Sequence, residues 1–539
     1  MNKIAHYLQE HLVGEVLSDK DTLERFSTDK SIFHIEPMFV VFPEDESDIR
    51  KTVRFAWQLA DRGRSISVTP RGNGYDETGA AIGNGMVVDF SSHMTNILGL
   101  DPKTGDVKVQ PGVNFDTLQQ ALRLHGRYIP SVPNDSKQTS VGGAVGNNSS
   151  GRLSFKYGAI KYYTKGLKVV LSNGDVIETS RLSKKQFNKK MGEGGLEAKI
   201  YREVDKLIEE NQELLVTLPR SVSRNSAGYD LLSVKLPDGS FDLTPLFVGS
   251  QGTLGIISEI TFATIQLPEE TSLIVAKINN IEDAQEMVLE LALDEERPCS
   301  MEMIDENLLR YVHEKFPNYL NSYEPPFPKM TVLIELDDAQ RTRKKIQKKV
   351  ERFLSKKKIE FDEVDAEEKQ MYLKLLQLPN LYKQDRSSKS VALPIVNDGI
   401  VPVGRTFDYI NMLNELFVAN NVEATVWGSL GDGYVHFQPR LDLSEVVDRQ
   451  KVFRIMDVYY DAVLAMGGSI SGSGGDGRLK APFLQAMYKD AYVLFEKIKN
   501  IFDPKDIMNT GVKTGVDTND NKSKLRKEYS LKNSEYLHE

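Results

Sequence analysis

Between Pro133 and Gly151 the chain reads PNDSKQTSVGGAVGNNSSG, a run of glycine, serine and asparagine with almost no bulky side chain. Such a segment cannot build a core. Its glycines reach backbone angles closed to other residues and let the main chain come close to a ligand, while Ser, Thr and Asn supply neutral hydrogen-bonding groups. The composition suits a cradle for something large and phosphate-bearing, and it also suits a flexible surface linker. A second glycine loop upstream favours the cradle. There Pro70-Arg71-Gly72-Asn73-Gly74-Tyr75 follows the alternating run Ser65-Ile66-Ser67-Val68-Thr69 and leads to the strand-like Met86-Val87-Val88-Asp89-Phe90. A strand opening into Arg-Gly-Asn-Gly can turn its N–H groups inward as an anion nest, with Arg71 close to hand. An ordinary hairpin loop is the alternative for this loop taken alone. Two nests together suit a pyrophosphate.

The periodicity gives an α+β pattern. Strands are expected at Met38–Phe42, Ile66–Thr69, Met86–Phe90, Val107–Pro111, Leu167–Leu171, Leu246–Val248 and Ile256–Phe262. Helices are expected at Asp48–Arg62 and Phe115–His125, with Ser47 and Asn114 as caps, and over the polar insertion Lys184–Leu218. From Thr271 a strand (Ser272–Ile278), a helix (Ile281–Asp294), a strand (Met330–Leu336), a helix (Arg341–Lys357) and a strand (Ile359–Val364) fit a ferredoxin-like cap, followed by helices at Phe407–Ala419 and Ser444–Met466. The division expected is 1–35 as a helical lead-in, 36–270 as the first domain, 271–513 as the second and 514–539 as a disordered tail. Gly472-Ser473-Gly474-Gly475-Asp476-Gly477 satisfies G-x-G-x-x-G, but it follows a helix and leaves no room for a full βαβ unit, so a Rossmann site is rejected there.

At 539 residues with 40% hydrophobic content the chain can bury two or three cores. A net charge of -9 argues against nucleic acid as the main partner, because neutralising phosphates takes clustered Lys and Arg. The one cysteine, Cys299, excludes an internal disulfide framework and a Cys-ligated cluster built from this chain alone. The start MNKIAHYLQEHLVGE lacks a continuous apolar segment, and no apolar run approaches the roughly 18 residues of a membrane span. The expected location is cytoplasmic.

The blocks PRGNGYDETGAAIGNGMVVDF, VQPGVNFDTLQQAL, IPSVPNDSKQTSVGGAVGNNSSGRLSFKYG, LKVVLSNGDVIE, NSAGYDLL and LFVGSQGTLGIISEITF occur in an order that resembles the vanillyl-alcohol-oxidase-like FAD flavoproteins. The resemblance continues through MEMID, VLIEL, GSLGDGYVH, GGSISGSGGDGR and IFDPKDIMNTG, so that it spans about residues 36 to 513 and is strongest for the D-lactate, glycolate and D-2-hydroxyglutarate dehydrogenase branch. It implies a two-part FAD-binding domain of the p-cresol methylhydroxylase (PCMH) type, a cap domain and C-terminal helices. It also implies that Arg71, Gly72, Asn73, Gly74 and Tyr75, with Thr139, Ser140, Gly142 and Gly143, contact the FAD pyrophosphate and flanking groups. On the same basis Pro133 enters the second nest, Asn147, Asn148, Ser149, Ser150 and Gly151 run beside the isoalloxazine, and Ile256 and Ile257 touch the adenine end. Relatives with covalent flavin carry a His after the first loop, where this chain has Tyr75 and Asp76, so noncovalent FAD is expected.

The second half departs from the branch. Its dehydrogenases show G-H-x-G-D-G-x-x-H and then S-G-E-H-G, whose His and Glu residues hold a divalent metal and whose last His serves as base. Here the first reads Gly428-Ser429-Leu430-Gly431-Asp432-Gly433-Tyr434-Val435-His436 and the second Ser471-Gly472-Ser473-Gly474-Gly475. Ser429, Ser473 and Gly474 stand where a His, a Glu and a His are usual. Serine hydroxyls are poor ligands beside carboxylate or imidazole, so no metal is expected. His436 is the surviving candidate base, with a packing histidine as the alternative. The Arg that clamps the substrate carboxylate is replaced near Leu376, with Lys374, Lys383, Arg386, Arg405 or Arg478 as substitutes.

Three functions follow from this reading. The first is an FAD-dependent dehydrogenase moving hydride from a small hydroxylated substrate, by family default D-lactate or another D-2-hydroxy acid, to flavin N5. The second keeps the scaffold with another substrate, a sugar alcohol, a lactone or an ether-lipid-type transfer. The third is a flavin-binding partner subunit without turnover. The electron acceptor is left open, with a peripheral place at a membrane or at a redox partner protein as the alternatives.

Overall fold

In the computed structural model, residues 3–320, 323–365, 368–516 and 518–529 are described. Short strands rich in Val, Ile and Phe come first. Strands β1 (Glu15–Leu17), β2 (Phe39–Phe42), β3 (Val68–Arg71) and β4 (Met86–Asp89) form a sheet in the order β1-β2-β4-β3. β2, β4 and β3 run parallel and β1 joins antiparallel. Burial of every residue of β2 and β4 accounts for their unbroken apolar character.

The next strands are β5 (Ile97–Leu100), β6 (Val107–Val109), β7 (Arg127–Tyr128), β8 (Thr164–Val170), β9 (Val176–Thr179), β10 (Ile256–Phe262) and β11 (Ile265–Gln266). Five of them make an antiparallel sheet, β5-β6-β10-β8-β9, while β7 and β11 pair separately. Strand β10 alternates between fully buried and half-buried residues, as a period of two requires.

The last strands are β12 (Ser272–Ile278), β13 (Ser300–Asp305), β14 (Met330–Leu336), β15 (Glu360–Val364), β16 (Val391–Ala392), β17 (Ala424–Ser429) and β18 (Tyr434–Leu441). They form one antiparallel sheet, β15-β12-β14-β13-β17-β18-β16. Its first four strands, with helices Ile281–Ala292 and Gln340–Lys357 crossing between them, have the split β-α-β order of the expected ferredoxin-like cap. β17, β18 and β16 extend it beyond that expectation. Helices cover one face, where Ile274, Met301, Met303, Ile334, Val435 and Phe437 enter the large apolar core.

Several local expectations are corrected. Leu246–Val248 is not a strand: Thr244–Phe247 is a helical turn opened by Pro245, which suits a first turn because it has no N–H to leave unpaired. The helix Glu46–Asp61 is capped by the extended Asp45, which accepts from the Asp48 N–H, rather than by Ser47. Asn114 caps Phe115–Arg123 as expected. The lead-in contains a strand, β1, as well as helices.

The tail also differs from a disordered one. Thr518–Ser523 is helical, Leu525 pairs with Phe33, and the buried Arg526 donates to the carbonyls of Phe33 and Asp29. Composition is blind to that docking surface. Residues 530–539 of the expected tail lie outside the described residues.

Candidate flavin and substrate site

Strand β3 ends at Arg71, and the chain turns at once through Gly72-Asn73-Gly74. Arg71 does not reach outward. Its guanidinium donates to the carbonyls of Thr28 and Ala81 and lies 5.0 Å over the Phe26 ring, so it braces the loop from behind. Gly74 has φ +69, and a Cβ there would sit 2.2 Å from that guanidinium, so no other residue fits. Asn73 donates to the Gln138 carbonyl and ties this loop to the second small-residue tract.

The second tract begins a short helix, Val141–Gly146, capped by Ser140, whose hydroxyl accepts from the Gly143 N–H. A Cβ on Gly72 would fall 2.0 Å from the Ser140 hydroxyl, and one on Gly142 would fall 2.7 Å from Pro111. The two loops are therefore packed backbone against backbone. Gly146 is different: a Cβ there would meet no protein atom within 4 Å, and its open side is cavity. Asp76 closes the arrangement, accepting from the N–H groups of Thr78 and Ala80 and from the Asn147 amide.

A cavity of about 610 Å³ runs from these loops to the other face of the large sheet, which helices Glu306–Lys315 and Leu378–Gln384 cover in part. The sequence-predicted run Arg71 to Tyr75 lines it, as do Pro133, Thr139, Ser140, Gly142, Gly143, Asn147, Ser149, Ser150, Ile257 and His436. Three predicted residues do not. Ile256 points the other way along β10 into a core with Met86, Val88 and Val170, because neighbouring strand residues face opposite sides. Asn148 lines a smaller neighbouring pocket and accepts from the Lys161 N–H. Gly151 is needed for packing, since a Cβ would fall 1.8 Å from the Val132 carbonyl.

The sheet face is set by register. Glu302 of β13 stands opposite Ser429 of β17, which stands opposite Tyr434 of β18; Ile304, Trp427 and His436 make the adjoining row. Residues two apart on a strand share a face, so all six side chains are directed to one side. His436 stacks on Trp427 at 5.8 Å and meets the Tyr434 ring edge-on at 4.6 Å. The Asn397 amide donates to Glu77 and turns its oxygen to His436 Nδ1, 2.5 Å away. Nδ1 therefore carries the proton and donates, which leaves the Nε2 lone pair free. Burial drives the imidazole down to about 3, so it stays neutral at ordinary pH.

Beside it lies a buried ion pair. Lys480 Nζ donates to Asp398 at 2.5 Å and to the Ser471 hydroxyl at 3.0 Å. Asp398 also accepts from the Tyr434 hydroxyl and from the N–H groups of Ser473 and Gly474. Burial works to raise this carboxyl, but Lys480 and the hydrogen bonds outweigh it and hold it below the usual range. Tyr434, Ser471, Ser473 and Gly474 fall in the two motifs singled out in the sequence, but Asp398 and Lys480 belong to neither. Asp398 and Lys480 are 82 residues apart and meet only in the fold.

Of the cations weighed as carboxylate clamps, Lys383 lines the cavity. Burial works to lower its ammonium, but Asp135 at 3.1 Å and Glu77 outweigh that and keep it charged. Leu376 lines the cavity as well. Arg478 is bound to the carbonyls of Gly511 and Ile82, Arg386 to those of Lys383 and Asp385, and Arg405 to Asp408 on the surface. Lys374 is exposed. The G-x-G-x-x-G decoy is a buried connection: Gln251 accepts from the N–H groups of Asp476 and Gly477, and Asp476 pairs with Lys513 at 2.5 Å.

The two small-residue loops, the backbone open at Gly146 and the volume fit a large dinucleotide. The residues do not fit the divalent metal of the dehydrogenase branch. Ser473 donates its hydroxyl to the Ser150 carbonyl and accepts from the Ser150 N–H, Gly474 has no side chain, and Ser429 faces Asp432 at 3.4 Å. Among the described residues no group of three His, Cys, Asp or Glu side chains could hold a metal ion.

Comparison with known proteins agrees with this geometry. Residues 37–180 match the model of an FAD binding domain, and residues 267–512 match that of the C-terminal domain of FAD linked oxidases. The chain is 26% identical over 522 residues to a D-2-hydroxyglutarate dehydrogenase of Pseudomonas putida, covering 92% of this chain and 50% of that protein. It is 26% identical over 480 residues to the glycolate oxidase subunit GlcD of Bacillus subtilis, covering 88% of each. The chain thus spans about half the length of the D-2-hydroxyglutarate dehydrogenases it matches. In structure it is similar to p-cresol methylhydroxylase, with a TM-score of 0.69, 15% identity, and coverage of 96% of this chain and 97% of that one. No helix among the described residues is long and apolar enough to cross a membrane. With both halves matched in order around one cavity, the chain belongs to the FAD-linked oxidases with a PCMH-type FAD-binding fold, and its cofactor is FAD.

Proposed function

We propose that this protein is a dehydrogenase that holds FAD noncovalently and oxidises the CH–OH group of a small hydroxylated acid, with D-2-hydroxy acids as the first class to test. The observation that carries this reading is the single cavity shared by the glycine loops and the polar sheet face of Glu302, Tyr434 and His436. When bound, FAD supplies a two-electron acceptor for hydride. The loop Arg71 to Tyr75 would hold its phosphates with main-chain N–H groups. The second loop packs beside it, with its Thr139, Val141, Gly142 and Gly143 N–H groups bound within the protein. Tyr75, lying under the Lys30 ammonium at 3.4 Å, offers no imidazole for covalent attachment. Lys383 attracts the substrate carboxylate. His436, neutral and held by Asn397, packs against the substrate and orients it. Residues up to about 270 carry the cofactor and those of 271–513 the substrate. The single buried cysteine and the acidic charge favour a cytoplasmic enzyme that gives its electrons to a separate acceptor.

One observation favours a second reading with a different hydroxylated substrate: the metal-ligand positions are Ser429, Ser473 and Gly474, and a fixed ammonium, Lys480, lies beside them. The test is anaerobic addition of D-lactate, D-2-hydroxyglutarate and glycolate, then sugar alcohols and lactols, to the yellow protein. Bleaching by a 2-hydroxy acid supports the first reading, and bleaching only by another alcohol supports the second. Unchanged colour with all of them defeats both.

A further inference from the structure

Glu302 is a buried carboxylate that the reading above leaves unused. It lies on the cavity-facing side of β13 with 8% of its surface exposed, and it lines the same cavity as His436. One of its oxygens, Oε1, has no hydrogen-bond partner. A buried carboxylate oxygen left unpaired is costly and calls for a ligand or a proton. The groups around it do not neutralise it. Arg224 is committed to Asp432 at 3.0 Å and to the face of the Tyr434 ring at 4.2 Å, and Arg152 is paired with Glu335. Ser429, across the strand pair, gives the carboxyl a weak hydroxyl partner but does not satisfy Oε1. His436 is a neutral neighbour on the same face, and Asp432 is a like charge.

This inference rests on the flavin-dependent oxidation proposed above. We propose that Glu302 is the proton acceptor of the reaction, taking the substrate's hydroxyl proton at Oε1. As the substrate C–H bond breaks, its electron pair and hydrogen leave as hydride to the flavin, the oxidant. The O–H bond breaks with its electrons forming the C=O of the product, and its proton completes a carboxylic acid on Glu302. The substrate loses two electrons and two hydrogens; the flavin gains the hydride, and Glu302 later gives the proton to solvent.

Acid strength supports the assignment independently of position. Burial pushes the Glu302 carboxyl up to about 7, despite Arg224 and Arg152, and a general base works best near the operating pH. The His436 imidazole, driven to about 3, is too weak a base for that role; it packs against the substrate and leaves the hydroxyl proton to Glu302. Glu302 and His436 therefore divide the work that the branch gives to one residue and a metal.

The experiment uses the full-length holoenzyme and the variants Glu302→Gln, Glu302→Asp and His436→Asn. First, infrared difference spectra across pH 5 to 9, without substrate, read the protonated carboxyl directly. The wild type is expected to lose buried C=O signal as pH rises through about 7, and E302Q to keep only the part that belongs to Asp305, whose buried carboxyl is also pushed up to about 7. Second, stopped-flow anaerobic reduction uses whichever substrate bleaches the wild type. E302Q, still yellow, should be slower by roughly a hundred to ten thousand fold, the range of general-base help, and should lose the rise in rate near pH 7. E302D should keep the carboxyl signal and recover part of the rate. H436N should be slower without any change in the pH profile. Wild-type rate and pH profile in E302Q, or a carboxyl signal that the substitution leaves undiminished, overturns the role of Glu302 alone. A wild type that holds FAD but is bleached by no hydroxylated compound overturns the proposed function, and the Glu302 step with it.

Discussion

Buried charge carries two opposite meanings at the residue scale in this protein. Asp398 is buried and satisfied: five donors converge on it, and its pairing with Lys480 holds the loop Ser471-Gly472-Ser473-Gly474 against the sheet. Glu302 is buried and unsatisfied. That difference predicts how stability depends on pH. The folded pKa of Glu302, about 7, lies above its ordinary value of 4.5, so its contribution to stability is fully present below about 4.5 and lost as pH rises through about 7. A neutral amide escapes this. Glu302→Gln should match the wild type below pH 4.5 and exceed it by up to about 3 kcal/mol above pH 7, in denaturant unfolding of the apoprotein at a series of pH values. An advantage that does not grow with pH contradicts the burial argument. None of this was legible in the sequence, where MEMID serves only as a block of the resemblance and no strand is expected over it. The significance of Glu302 comes from Ser429 opposite it, a pairing fixed by sheet register rather than by spacing along the chain.

Glycines that look alike in sequence do different work at the scale of elements. Gly142 packs against Pro111, and its replacement by Ala pushes a methyl group to 2.7 Å from that ring. Gly146 faces the cavity, and a methyl group there meets no protein atom within 4 Å. Gly146→Ala is therefore expected to keep the melting temperature of the apoprotein within a few degrees and to weaken FAD binding at least tenfold by fluorescence titration. Gly142→Ala should lower both. Equal effects of the two substitutions would show that the tract is a structural turn and not a cofactor cradle. Both loops, the ferredoxin-like cap and the helix capped by Asn114 were legible, because each depends on local pattern. The strands β17 and β18 were missed for the opposite reason. Their Gly428 and the Leu430–Asp432 turn interrupt the alternation, and the sequence there reads as a ligand motif rather than as a hairpin.

Long-range clasps hold the whole molecule around the site. Residues 525–529 return to residues 29–33, where Arg526 caps two carbonyls and the Tyr529 hydroxyl donates to the Lys30 carbonyl. Lys30 in turn lies over Tyr75 in the first glycine loop. Burial lowers the Lys30 ammonium to about 8. Composition alone made this segment a disordered tail, since a polar sequence shows nothing of the carbonyls it will satisfy. Arg526→Ala leaves those two carbonyls unpaired and should cost roughly 2 to 6 kcal/mol in apoprotein unfolding, at about 1 to 3 kcal/mol for each buried group left unsatisfied. FAD affinity should fall with it, through Lys30 and Tyr75, and removal of residues 518–539 should do the same. A truncated protein with unchanged stability and affinity would mean that the clasp is idle.

The account as a whole requires that the cavity be a place of oxidation and not merely of flavin storage or of non-redox transfer. The most direct test is a single-turnover titration of the FAD-loaded protein, without oxygen, by the hydroxylated acid that bleaches it, with the product assayed in the same sample. Full loss of flavin colour with an equal amount of 2-oxo acid formed is the predicted result. Flavin that stays oxidised, or colour lost to a substrate adduct with no oxo acid released, would contradict it.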